Sequence, residues 1–133
     1  MTANDSSSNT PGSLIMVVDD DEDIRLMMRV LLEEDGYGVL EAENGQQAVE
    51  MAQSLRPNLI LMDLSMPVLD GFAATRRLRS LKKVGDVPII AITAFDTPEH
   101  RTNASAAGVD EYLTKPIDFA RLDKLLDHFL KST

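Results

Sequence analysis

Pro57-Asn58-Leu59-Ile60-Leu61-Met62-Asp63-Leu64-Ser65-Met66-Pro67-Val68-Leu69-Asp70-Gly71 is the stretch that decides the fold. Pro57 ends whatever helix precedes it. Leu59 to Met62 is a short unbroken apolar run, the signature of a strand buried on both faces. It stops abruptly at a carboxylate, Asp63, and a Pro- and Gly-containing loop follows. A strand that ends in an acid and passes through a loop into a helix is half of a βαβ unit.

The same alternation extends outward in both directions. Upstream, Leu14 to Val18 reads as a strand ending at an acidic run, Asp19 to Asp23. Ile24, Met27, Met28, Leu31 and Leu32 then recur at helical spacing until Gly36. Val39 to Ala42 is a second strand, and Asn44-Gly45 opens a helix that turns Ala48, Met51, Ala52 and Leu55 inward. Downstream of Gly71, Ala74, Leu78 and Leu81 share one helical face, and Pro88 to Ile92 is a strand closed by Thr93. Asp96-Thr97-Pro98-Glu99 reads as an N-cap, an early helical Pro and a reciprocal Glu. Glu111 to Thr114 is the last strand, before Lys115-Pro116, and Leu122, Leu125, Leu126, Phe129 and Leu130 line the last helix. Five strands alternating with five helices imply an α/β fold, with a mostly parallel sheet covered on both faces.

Composition fits one such domain. The chain has 133 residues, 44% hydrophobic, and its length matches a single core. With no cysteine, disulfide scaffolds, thiolate metal sites and cysteine nucleophiles are excluded. A net charge of −9 argues against direct nucleic-acid binding, which needs clustered Lys and Arg. No apolar run approaches the roughly 20 residues of a membrane span, and no basic n-region precedes an apolar segment, so no membrane insertion and a cytoplasmic location are expected. Residues 1–13, rich in Ser, Thr and Asn, read as a disordered tail.

The chemistry gathers at the strand ends. Asp19 and Asp20 follow the first strand, Asp63 ends the third, Thr93 the fourth, and Lys115 follows the fifth. In an open parallel sheet all of these fall at the carboxyl edge, where such folds bind ligands. Converging carboxylates repel unless a cation or proton intervenes, and an all-oxygen cluster suits Mg²⁺. A carboxylate nucleophile, a metal, a Lys and a hydroxyl together suit phosphoryl transfer onto an aspartate. Asp21, Glu22 and Asp23 are better read as acids favoured by a helix N-terminus.

These residues resemble the receiver domain of two-component response regulators, the CheY-like family. The resemblance rests on Val17-Val18-Asp19-Asp20, Asn44-Gly45, the stretch Asp63 to Gly71, Thr93-Ala94, Tyr112 and Lys115-Pro116, and it spans about Leu14 to Leu130. It implies a flavodoxin-like doubly wound sheet in the order 2-1-3-4-5, a receiver domain over 14–131, and no output domain. It implies that Asp63 accepts a phosphoryl group from a histidine kinase or histidine phosphotransfer protein. Asp19, Asp20, Asp63 and the backbone carbonyl of Ser65 would hold Mg²⁺, with Mn²⁺ as a substitute. Lys115 would pair with the phosphoryl group across a cis bond to Pro116. Thr93 and Tyr112 would be the switch, re-posing the fourth helix, fifth strand and fifth helix for a downstream protein or a phosphorylation-dependent homodimer. The chain would be a single-domain regulator or a receiver cut from a longer protein.

Some readings stay open at this level. Ser65 leaves room for an attacking water whereas Phe95 could shield the phosphoryl group, so the lifetime is not set. Arg76, Arg77, Arg79, Lys82 and Lys83 read as a solvated face before a docking patch. His100 and His128 read as surface residues. A phosphohydrolase would want a second acid where Ser65 stands, and a nucleotide-binding loop lacks its glycines. A degenerate receiver, acting only by constitutive docking, is the remaining competitor.

Overall fold

The computed structural model describes residues 12–66 and 69–130. Most of the expected tail, together with Pro67 and Val68 of the quoted stretch, lies outside them. Along the chain run β1 (Leu14–Val18), α1 (Glu22–Glu34), β2 (Gly38–Ala42), α2 (Gly45–Leu55), β3 (Leu59–Asp63), α3 (Gly71–Arg79), β4 (Ile89–Thr93), α4 (Pro98–Ala107), β5 (Glu111–Thr114) and α5 (Phe119–Leu130). All four strand pairings are parallel, and the sheet order is β2-β1-β3-β4-β5.

Period-two alternation divides the strands between two cores. Ile15, Val17, Leu59, Leu61, Ile90 and Ile92 point to one face, against Met28 and Leu32 of α1 and Leu122 and Leu126 of α5. Met16, Val18, Ile60, Met62, Ile89 and Ala91 point to the other, against α2, α3 and α4 through Ala48, Ala52, Ala74, Leu78 and Ala104. The small residues let these three helices lie close to the sheet. β3 and β4 are buried at every position, which is why they read as unbroken apolar runs.

Three local readings change. The N-cap of α4 is Thr97, whose side chain accepts from the His100 amide at 3.1 Å, and Asp96 instead pairs with Arg101. Pro98 occupies the first helical position, so the extended residue before it must be the cap. Leu81 lies beyond the end of α3 yet still packs against the core. The third concerns the basic cluster, from which Arg79 separates. Its guanidinium donates to the carbonyls of Gly108 and Gly85, each at 2.9 Å, to that of Val87, and to Asp110 at 2.8 Å. It ties the end of α3 to the segments that lead into β4 and into β5 and is no part of a solvated face. Arg76, Arg77, Lys82 and Lys83 are exposed, as expected.

Gly71 shows how closely α3 approaches the edge of the sheet. A Cβ there would lie 2.3 Å from the Asp63 carbonyl oxygen and 2.6 Å from the Leu64 Cα. Gly36 is different: its φ is +96°, and nothing stands within 4 Å of a Cβ placed there. Gly71→Ala is therefore expected to cost about 2–4 kcal/mol, because backbone must move. Gly36→Ala should cost only about 1–2 kcal/mol, the left-handed penalty alone. Urea denaturation of both variants checks this; equal losses would contradict the close-approach account.

Candidate functional site

The carboxyl ends of β1, β3, β4 and β5 form one rim. Asp19 follows β1 and is held by its backbone: its amide donates to the Ala42 carbonyl at 3.1 Å, and its carbonyl accepts from Arg25 Nη1 at 2.7 Å. Arg25, buried on the first turn of α1, is anchored in turn by Glu41 of β2 at 3.1 Å. The Asp19 carboxylate accepts from the Asp21 amide at 2.9 Å through Oδ1. Asp63 is the last residue of β3 and is 5% exposed. Its Oδ1 accepts from the Ser65 amide at 3.0 Å, which leaves Oδ2 facing the rim.

Lys115 joins the two acids. Its Nζ lies 3.2 Å from Asp19 Oδ2 and 3.6 Å from Asp63 Oδ2. The backbone holds it there, for the Lys115 amide donates to the Thr93 carbonyl at 2.8 Å, and the Lys115–Pro116 bond is cis, as the resemblance implied. Asp20 is exposed and adds a third carboxylate, with an oxygen from each of Asp19, Asp20 and Asp63 within 4.8 Å of one another. Against three carboxylates stands one ammonium.

Burial and that imbalance both show in the titration of Asp63. Burial, seconded by the negative charge of Asp19, pushes the Asp63 carboxyl up to about 6, although the Ser65 amide and Lys115 pull the other way. For Lys115 burial opposes the charged form, but Asp63 and Asp19 outweigh it and hold the ammonium above its ordinary range. An all-oxygen, partly buried acidic pocket with one exposed member is a donor set a hard divalent cation fits, since Mg²⁺ takes one or two carboxylates and keeps waters.

Thr93 is fully buried at the end of β4. Oγ1 accepts from the Phe95 amide at 3.2 Å and lies 3.3 Å from His100 Nε2. Tyr112 of β5 is 8% exposed; its hydroxyl donates to the Phe95 carbonyl, and the Arg101 guanidinium lies 4.6 Å from its ring centroid. Phe95 itself is 56% exposed. His128 is exposed, as expected, but His100 is not a plain surface residue. Its ring makes edge contacts with Phe72 at 5.0 Å and Tyr112 at 6.1 Å. The signal for this was the spacing His100, Ala104, Ala107, a sparse inward stripe on an otherwise polar helix. No sequence pattern marked Arg25.

Comparison with known proteins now decides the family, for the model of the response regulator receiver domain matches residues 15–127. The chain belongs to the response regulator receiver family. This receiver domain is 36% identical over 116 residues to protein PilH of Pseudomonas aeruginosa, covering 87% of this chain and 96% of PilH. It is 38% identical over 122 residues to the phosphate regulon transcriptional regulatory protein PhoB of the same species, but spans only 53% of PhoB. Its fold superposes on chemotaxis protein CheY4 of Vibrio cholerae with a TM-score of 0.84 and 32% identity, covering 90% of this chain and 99% of that one. It also superposes on the receiver domain of sensor histidine kinase PA1611 of Pseudomonas aeruginosa, with a TM-score of 0.83 and 38% identity. That match covers 89% of this chain and 97% of the other, which has a magnesium ion coordinated in its active site cleft. Among the described residues of the receiver domain no helix is long and apolar enough to cross a membrane.

The raised Asp63 titration makes a stability prediction. The folded state favours the neutral acid more than the unfolded chain does, so stability is highest below about pH 4 at this group and is lost as pH rises through 6. In metal-free buffer at pH 7.5, Asp63→Asn should therefore be more stable than wild type by on the order of 2 kcal/mol. The gap should close near pH 4. Thermal melts in a chelator at both pH values check this, and a less stable Asp63→Asn at pH 7.5 would contradict it.

Proposed function

We propose that this receiver domain accepts a phosphoryl group on Asp63 from a phosphohistidine of a histidine kinase or histidine phosphotransfer protein. The observation that carries the reading is the presentation of the Asp63 carboxylate. One oxygen is fixed by the Ser65 amide, the other faces Lys115, and Asp19 and Asp20 flank it. Asp63 Oδ2 would attack phosphorus as the phosphorus–nitrogen bond to the imidazole breaks, and the imidazole leaves with the bonding pair. Asp19, Asp20, Asp63 and the Ser65 carbonyl would hold Mg²⁺, or Mn²⁺ in its place, which when bound neutralises charge on the phosphoryl oxygens. Lys115 would exchange its contact with Asp63 for one with a phosphoryl oxygen.

The apolar cleft beside Lys115, lined by Ile24, Met27, Pro116, Ile117 and Phe119, offers the donor protein a surface to cover while its histidine reaches the rim. Thr93 would then turn its hydroxyl to the phosphoryl group and Tyr112 would follow, altering the face formed by α4, β5 and α5 that a downstream protein or a second copy reads. Such a switch needs about 5.5 kcal/mol of differential stabilisation to pass from 1:99 to 99:1. Charge-assisted bonds from Thr93 and Lys115, at about 1.5–3 kcal/mol each, supply that order of energy only together. A cytoplasmic setting fits a partner kinase whose phosphohistidine is made there. Ser65, without a carboxylate, supplies no second acid for a phosphohydrolase.

Intact-mass spectrometry after incubation with acetyl phosphate tests the acceptor chemistry. One phosphoryl adduct is expected on wild type with Mg²⁺, and none on Asp63→Asn or in a chelator. Absence of an adduct from both acetyl phosphate and a phosphohistidine donor would instead establish a constitutive docking module.

A further inference from the structure

His100 is a titratable side chain that meets both proposed switch residues, and nothing in the phosphoryl-transfer reading uses it. It lies on the first turns of α4, with Nε2 at 3.3 Å from Thr93 Oγ1 and its ring edge-on to Tyr112 and to Phe72 of α3. A threonine hydroxyl has one proton and two lone pairs. The Phe95 amide occupies one lone pair of Thr93 at 3.2 Å, and the residue is fully buried, so water does not compete for the proton. His100 Nε2, at 3.3 Å, is the side-chain partner that ties this hydroxyl to α4, and a hydroxyl turned to a phosphoryl oxygen would give that contact up.

We propose that His100 is a positioning residue, a latch that holds the Thr93 hydroxyl on α4 and so keeps the receiver in its unphosphorylated arrangement. The inference rests on the switch role of Thr93 given above. Turning the Thr93 hydroxyl toward Asp63 carries it away from α4 and breaks the bond to His100, whichever of the two donates. Release also frees the ring that packs against Tyr112 and Phe72, which couples the site to the position of α4. The latch sets how much the phosphoryl group must contribute before the switch turns.

Beryllofluoride, a tetrahedral mimic that bonds to a carboxylate oxygen, tests this in the full chain with Mg²⁺. His100→Phe keeps an aromatic ring and removes the hydrogen-bonding nitrogen; His100→Gln keeps a hydrogen-bonding group and removes the ring. The Phe variant is expected to bind the mimic about three- to tenfold more tightly, the yield of one net hydrogen bond, and the Gln variant to stay within twofold of wild type. In a Thr93→Ala background the His100→Phe effect should vanish, which a merely structural role would not produce. The latch is overturned if His100→Phe binds within twofold of wild type, if its effect persists without the Thr93 hydroxyl, or if His100→Gln shifts affinity as much. Mimic binding by wild type that needs neither Mg²⁺ nor Asp63 would instead remove the proposed acceptor role of Asp63, and the latch with it.

Discussion

Everything at the functional edge depends on keeping two buried carboxylates beside one lysine. Lys115 follows β5 and Asp19 follows β1, 96 residues apart, and Nζ lies 3.2 Å from the Asp19 carboxylate and 3.6 Å from that of Asp63. The three strands concerned are not neighbours in sequence, so only the parallel sheet, with its β2-β1-β3-β4-β5 order, makes the contact. Two carboxylates already exceed the one ammonium, and Asp20 adds a third. That residual negative charge, with Asp63 pushed up to about 6 by burial, makes the rim a donor set that a divalent cation fits, which is the setting the proposed phosphoryl transfer needs.

Support for that rim comes from residues with no acidic chemistry of their own. Arg25 clamps the Asp19 carbonyl while leaning on Glu41, and Gly71 lets α3 close on the Asp63 carbonyl where any side chain would collide. Arg79 fastens the far end of α3 to the chain before and after β4. Position at the site is thus set by backbone contacts several residues removed from it. The proposed switch lies on the other side, at Thr93, His100 and Tyr112, which hydrogen bonds and ring edges tie together.

How much of this was legible in the sequence depended on the range of the interaction. Asp63 and Thr93 stood out because apolar runs buried on both faces end at them, and that pattern is local. The order of elements and the division of the strands between two faces followed from period-two and period-3.6 spacing. The roles of Arg25, Arg79 and His100 were not legible, for each is set by partners between 6 and 31 positions away that only the fold brings close. Composition even misdirected there: Arg79 sat in a basic cluster and read as solvated, while His100 lay on a helix with a weak apolar stripe. The one-residue error at the α4 cap had a local cause, since Pro98 outranks Asp96 in deciding where the helix begins.

Reduction of an acyl phosphate by borohydride converts the phosphorylated aspartate to homoserine, and peptide sequencing by mass spectrometry then locates it. Applied after Mg²⁺-dependent phosphorylation from a phosphohistidine donor, it tests directly that the carboxylate at the end of β3 is the acceptor. The expected result is homoserine at position 63 alone, absent when Mg²⁺ is chelated. Homoserine at position 19 or 20, or a phosphoryl group retained on a histidine of this chain, would contradict the account.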